Sequence, residues 1–394
     1  MARKRPAEKG QAETGGEAGP GLFGRGPAAG PAAGPAAGIV GENRRRGRGA
    51  LSNATGRFER LERSEADDGW GGLDALAPFA TTVIEERAKR IIARNASPDI
   101  SFDRSINPYQ GCEHGCVYCF ARPTHAYYGL SPGLDFETKL FAKPNAAALL
   151  EKELSDPGYT PKTIAIGTNT DPYQPIERQR RIMRQLLEVL DRFSHPVGIV
   201  TKSTLIARDL DILSRMAERG LVKAAVSVTS LDHGLSRAME PRAAAPQRRS
   251  ETIRLLAAAG VPTSVMVAPV IPALNDAEIE HILMSAASAG ATEAGYILLR
   301  LPLEVRDLFQ EWLLANFPDR AAKVLSILRG MRGGKDYDAT WGRRMRGSGP
   351  YAWLLGRRFE LAAKRFGLNE KKARLRTDLF TRPPQSGEQL SLFA

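Results

Sequence analysis

The sequence predicts an α/β fold built as a partial (β/α)6 barrel. Three observations predict it. Six short β-branched runs recur along the chain, amphipathic helical stretches lie between them, and a glycine stands where three of those helices should stop. The strand runs fall at 102–107, 163–167, 197–200, 223–228, 263–268 and 294–299. The helical stretches fall at 145–154, 176–193, 208–219, 248–259 and 277–289. Gly220, Gly260 and Gly290 each follow a helical stretch, where a left-handed residue ends the helix without a Cβ clash. Six strands fall two short of a full TIM barrel, so the sheet is TIM-like but partial. In such sheets the site lies at the carboxyl ends of the strands.

The flanks read differently from this core, which is taken as 76–300. Residues 1–75 carry the repeat Pro-Ala-Ala-Gly at Pro27, Pro31 and Pro35 and a basic cluster at Arg44, Arg45, Arg46 and Arg48. Such low-complexity, basic material is expected to be a disordered arm. Residues 301–380 read as a helical, basic region. From 329 to 376, fourteen Lys or Arg stand against four acids, Asp336, Asp338, Glu360 and Glu370. Tyr337, Trp341, Tyr351, Trp353, Phe359 and Phe366 are interleaved with them. Cations neutralise phosphates and aromatic faces stack on bases, so nucleic acid suits this region. A helical cap with its aromatics packed on the barrel suits it equally. Residues 381–394 read as a flexible tail.

Composition narrows the function classes. Of 394 residues, 42% are apolar and 25% charged, and the net charge is +12. That excess favours a polyanionic partner. No apolar run reaches the roughly 18 residues a membrane helix needs. The first residues lack the apolar core of a signal peptide, so a cytoplasmic, reducing location is expected. Only three cysteines are present, Cys112, Cys116 and Cys119. An odd count crowded into one segment argues against disulfides and for a metal or reactive site.

The three sit in the run Asn107-Pro-Tyr-Gln-Gly-Cys112-Glu-His-Gly-Cys116-Val-Tyr-Cys119, just after the first core strand. Close thiolates let one loop wrap an iron–sulfur cube. Three thiolates bind three irons and leave a fourth open to a ligand. Two other readings compete. Zinc would need a fourth ligand, His114 or His125, and Cys116 with Cys119 alone would be a redox pair. Neither accounts for the aromatic residue before the last cysteine or for the strand and helix units that follow.

On these residues the chain resembles the radical S-adenosylmethionine (SAM) superfamily. Within it, the chain is similar to the spore photoproduct lyase-like branch. The branch likeness rests on Asn107 to Cys112, on Thr168-Asn-Thr-Asp171-Pro-Tyr-Gln-Pro-Ile-Glu177, and on Glu240-Pro241. The resemblance covers about 100–296. It implies a [4Fe–4S] cluster held by Cys112, Cys116 and Cys119, with S-adenosyl-L-methionine chelating the open iron. It also implies reductive cleavage to a 5′-deoxyadenosyl radical that takes hydrogen from the substrate, and an electron donor such as flavodoxin or ferredoxin.

The resemblance assigns further residues. Tyr118 matches the aromatic beside the SAM adenine. The usual glycine pair and glutamate at the SAM amino group are absent, and Asp171 fills their place, either accepting from the ammonium or capping the helix that starts near Ile176. Lys202 matches a partner for the SAM carboxylate, and Ser227 a SAM-contacting serine turned away from Val226 and Val228. Glu240 matches a further SAM contact, with a surface pair to Arg242 as the other reading. The lyase's additional hydrogen-donating cysteine has no counterpart, which leaves Tyr109, Tyr127, Tyr128 and Tyr173 as possible relays.

The chain closes with Gln389, Leu390, Ser391, Leu392 and Phe393, similar to the peptide that bacterial repair proteins insert into a sliding clamp. An extended tail could place Leu and Phe in an apolar groove while Gln hydrogen-bonds. The expected function is radical chemistry on nucleic acid, with DNA favoured over RNA and lesion reversal as the reaction. Radical modification of RNA, or a non-catalytic iron–sulfur protein that binds DNA or the clamp, are the alternatives.

Overall fold

The described residues form ten strands: β1 (Thr82–Glu85), β2 (Ile92–Arg94), β3 (Arg104–Ile106), β4 (Tyr109–Gln110), β5 (Lys139–Ala142), β6 (Ile164–Ile166), β7 (Val197–Thr201), β8 (Val222–Ser227), β9 (Thr263–Val270) and β10 (Glu293–Leu298). The computed structural model describes residues 38–59, 61 and 76–383. The six strands read from the sequence are β3 and β6 to β10. They lie side by side in the order β10-β9-β8-β7-β6-β3 and are parallel throughout, with β2 antiparallel on the outer side of β3. The sheet therefore stays open, with β10 at one edge and the β2–β3 hairpin at the other. A second, small sheet runs β1-β5-β4.

The helices form because their apolar spacing covers the sheet. Ile182–Arg192 buries Ile182, Met183, Leu186, Leu187, Val189 and Leu190 on one face, each such aliphatic worth roughly 1.5–3 kcal/mol of transfer. The helix expected over 176–193 breaks at Arg181, whose φ of 52° puts it in the left-handed region between Glu177–Arg180 and Ile182–Arg192. The one expected over 208–219 starts as a 3-10 turn, Thr204–Asp209, before the α-helix Leu210–Glu218. Gly220, Gly260 and Gly290 have φ of 67°, 75° and 100°, the helix stops that the sequence marked.

Beyond the barrel come the helices Val305–Asn316, Pro318–Gly330 and Pro350–Arg365. They are not a body of their own, since the described residues all fall in one unit, 37–394. Phe359 is buried against Tyr296, and Phe366 packs on the core, whereas Trp341 and Trp353 are 60% and 68% exposed. The region thus both caps the barrel and shows aromatic rings to solvent. After it, the chain crosses the side from which the strands start: Arg376 N donates to Gly220 O and Thr381 N to Phe193 O.

The disordered arm expected over 1–75 requires correction within 38–59. Val40, Ala50 and Leu51 are buried, and Val40 N donates to Leu51 O at 2.9 Å. Arg48, read as part of a solvated basic cluster, is itself buried. It donates to the carbonyls of Glu137 and Phe79 and to the Thr81 hydroxyl, at 2.9, 2.9 and 3.0 Å. Composition misled here because a few backbone and guanidinium bonds to fixed acceptors can seat a polar segment with little apolar area. No described helix is long and apolar enough to cross a membrane. The tail at Gln389 to Phe393 lies outside the described residues.

Candidate active site

The site is built where β3, β6, β7 and β8 end. The cysteine loop leaves the small sheet at Gln110 and is tied down along its length. Cys112 N donates to Phe136 O, Val117 N to Met239 O, and Arg242 N to His114 O. Gln174 clasps the loop twice, accepting from Glu113 N at 3.0 Å and donating to Gly111 O at 3.1 Å. Behind the loop, Arg122 is wholly buried. It donates to Cys116 O and Gly115 O and pairs with the buried Glu137 at 2.5 Å. Glu137 also accepts from Gly49 N and Ala50 N, both at 2.8 Å. The arm therefore forms the back wall of the cysteine loop. Gly49 sits so tightly on Gly115 that a Cβ there would lie 1.8 Å from its carbonyl oxygen.

Cys112 and Cys116 are buried and Cys119 half-buried. Burial pushes the Cys116 thiol up to about 12, with Glu240 adding to the rise and Lys202 opposing it. Burial raises Cys112 and Cys119 as well. Bare thiolates are thus disfavoured in this loop, and a cationic centre is what would keep three of them ionised. Three soft sulfur donors on one short loop suit iron–sulfur chemistry. Among the described residues no three His, Cys, Asp or Glu side chains are already closed up as a metal cage. The fit therefore rests on donor type and placement. Each histidine that zinc would recruit has one ring nitrogen engaged, His114 Nδ1 at 3.4 Å from Asp171 and His125 Nε2 at 2.8 Å from Lys139 O, and the buried Nδ1 of His125 meets no partner among the described residues.

The residues expected around SAM gather at one mouth. Lys202 follows β7, and its ammonium sits 5.7 Å over the Tyr118 ring. Ser227 ends β8 and is buried, and its carbonyl accepts from Arg249. Asp171 does not cap the helix that follows Ile176. Its carboxylate accepts from Thr201 Oγ1 at 2.7 Å, Lys202 N at 2.8 Å and Tyr173 N at 2.9 Å. Burial raises the Asp171 carboxyl, but His114 and these donors outweigh it and hold it below the usual range. Asp171 fixes the β6 loop to the end of β7 and so aims Lys202.

Glu240 is the residue that sequence reasoning misjudged. It is buried, and Arg242 pairs instead with Glu113 at 3.2 Å. Glu240 accepts from the hydroxyls of Tyr118 and Thr229 and is paired with the buried Arg249, with Lys202 at 3.8 Å. Arg249 lies nine residues on, in the separate helix Pro246–Ala258, and neither that pairing nor the burial can be read from the spacing. The candidate relays divide: Tyr109 is locked on Glu177 and Tyr173 on Asp209, both buried, while Tyr127 stacks exposed on Phe58 and Tyr128 on Phe141.

Fold and site together define an open parallel α/β barrel with a cysteine loop at its catalytic end. Comparison with known proteins gives the class its name. The model of the radical SAM superfamily matches residues 106–286. An uncharacterized protein of Mycobacterium tuberculosis is 39% identical over 232 residues, 58% of this chain and 68% of its own. An uncharacterized protein of Methanocaldococcus jannaschii is 24% identical over 240 residues, 60% of this chain and 84% of its own. Spore photoproduct lyase complexed with dinucleoside spore photoproduct shares the fold, with a TM-score of 0.52 at 16% identity over 73% of this chain and 80% of that one. The chain belongs to the radical SAM superfamily and is a radical SAM enzyme, a class that works with a [4Fe–4S] cluster, SAM and an electron donor.

Proposed function

We propose that this enzyme starts radical chemistry on nucleic acid, with a DNA lesion as the substrate it reverses. The observation that carries the choice of substrate is the pair of solvent-exposed indoles, Trp341 and Trp353, set in the strongly basic stretch 329–376. Rings left in water within a stretch of net positive charge suit stacking on bases beside neutralised phosphates. The shared fold with a lyase solved with a dinucleoside lesion supports the same reading.

In this reading Cys112, Cys116 and Cys119 hold the cluster. Tyr118, Lys202 and Ser227 seat SAM, Lys202 against its carboxylate and Tyr118 beside its adenine. Asp171 acts as a positioning residue for Lys202, and Glu240 with Arg249 for Tyr118. Bound there, the cluster and SAM supply a one-electron reductive cleavage that yields an organic radical for hydrogen abstraction. The protein's share is to orient both and to keep water from the mouth. Flavodoxin or ferredoxin would supply the electron. The peptide at Gln389 to Phe393 would dock on a sliding clamp, a proposal supported by sequence alone.

The test is anaerobic reconstitution followed by quantitation of 5′-deoxyadenosine with lesion-bearing DNA, intact DNA, RNA or no nucleic acid. Stimulation by DNA, with deuterium passing from substrate into the product, is the expected result. Stimulation by RNA alone would move the substrate to RNA. Failure to cleave SAM under any condition would leave a non-catalytic DNA- or clamp-binding protein.

A further inference from the structure

The open sheet is bridged at its edges by residues 340–349. Met345 O accepts from Leu298 N at the end of β10, at 2.9 Å. Arg344 Nε and Gly342 N donate to Asp99, in the turn joining β2 to β3, at 2.5 and 2.6 Å. Buried Arg332 pins the segment by donating to the carbonyls of Arg343, Arg344 and Leu299.

Arg300 stands where this strap meets the mouth. Its guanidinium lies 4.8 Å over the ring of Phe120, the neighbour of Cys119. Among the described residues its terminal nitrogens reach only the Met345 sulfur at 3.7 Å and the Tyr337 hydroxyl at 3.3 Å. Its Nε is buried without a partner, and no carboxylate pairs with it among the described residues. A half-buried guanidinium with an unsatisfied donor is costly until an acceptor arrives, and its planar fork matches a phosphate.

The next residue along the strap from Met345 continues the pattern. Arg346 lies 4.2 Å over the Tyr296 ring and has no ion-pair partner among the described residues. It borders an open cleft of about 540 Å³, lined also by Gly347, Gly349, Trp353 and Gly356. The one carboxylate there, Glu360, is paired with Arg357 at 3.0 Å. A free cation beside an exposed indole suits a flat ring attached to an anion.

We propose that these groups form one nucleotide-holding track along β10: Arg300 takes a backbone phosphate beside the cysteine loop, and Arg346 with Trp353 stacks an unpaired base in the cleft. The proposal rests on the nucleic-acid reading above and deepens it. A single strand is the preferred occupant, because only an unpaired base can offer its face to the indole.

The test is anisotropy of labelled single-stranded DNA, and of its duplex, with the full reconstituted chain over a range of salt. Arg300→Gln should weaken binding about tenfold and flatten the log–log salt slope by about 0.7, the loss of one phosphate contact on a single strand. Arg300→Lys should restore the slope. Trp353→Ala, at an exposed position, should weaken the single strand about tenfold and abolish the tryptophan quenching that stacking causes. Iron content and circular dichroism control for folding. If the wild type binds DNA and both Arg300→Gln and Trp353→Ala bind it equally well, the track is wrong and the nucleic-acid reading stands. If the wild type binds no DNA, the track and the DNA reading both fall.

Discussion

Glu240 accepts the Tyr118 hydroxyl and pairs with Arg249, and through this one carboxylate the cysteine loop is joined to the helix Pro246–Ala258. Burial pushes the Glu240 carboxyl up, but Arg249 and Lys202 outweigh it and bring it down to about 2. The pair therefore stabilises the fold above the ordinary value of 4.5 and loses that contribution as pH falls toward about 2. Arg249→Met, which leaves the carboxylate buried without its main partner, should cost roughly 3–5 kcal/mol in anaerobic denaturant unfolding. Adding Glu240→Gln should recover part of that loss. A cost below about 1 kcal/mol, the scale of an exposed pair, would mean the carboxylate is solvated.

Replacing Cys112, Cys116 or Cys119 with Ala should each remove most of the iron and sulfide taken up on reconstitution, along with the broad visible absorption. The measurement is metal and sulfide analysis under argon. A variant with full iron, or a wild type that takes up zinc alone, would contradict the assignment.

Lys202→Ala should weaken SAM binding by roughly 1.5–3 kcal/mol, the scale of a hydrogen bond to a charged group. Iron content should not change, because Lys202 is not among the thiol donors. Calorimetric titration of SAM into the reconstituted variant reads this directly, and wild-type affinity would remove Lys202 from the SAM site.

Gly49→Ala should destabilise the chain by about 1–3 kcal/mol, the range for forcing extra atoms into a packed site. The added Cβ would lie 1.8 Å from Gly115 O, between the first two cysteines, so iron retention should fall with thermal stability. Gly198→Ala, where a Cβ would meet nothing within 4 Å, is the control and should stay within about 0.5 kcal/mol. Equal behaviour of the two would show that the arm does not press on the loop.

His195 is buried between the Tyr159 hydroxyl and Pro196 O, and burial lowers its pKa to about 4. The unfolded chain then binds the proton first as pH falls. His195 should lower stability progressively from about pH 6.5 down to 4, by up to about 3 kcal/mol over the whole window. His195→Phe should flatten the thermal midpoint between pH 7 and 5, and an unchanged slope would mean that His195 is accessible to water.

The sequence by itself determined the six parallel strands, the glycine stops and the three-cysteine loop, because each rests on local periodicity or spacing. Strand alternation and helix amphipathicity are set by neighbours a few residues away, and thiol spacing by one loop. It also placed Asp171, Lys202 and Ser227 at strand ends and Tyr118 on the cysteine loop. It did not determine what their polar atoms meet. Asp171 looked like a helix cap until the fold brought Thr201 and the Lys202 amide onto its carboxylate. Glu240 looked like a surface acid until burial against Arg249 made it the centre of a network. The arm looked disordered until Glu137 offered Gly49 and Ala50 two fixed acceptors. Only tertiary structure decided these, since desolvation and long-range hydrogen bonding depend on partners 9 to 88 residues away.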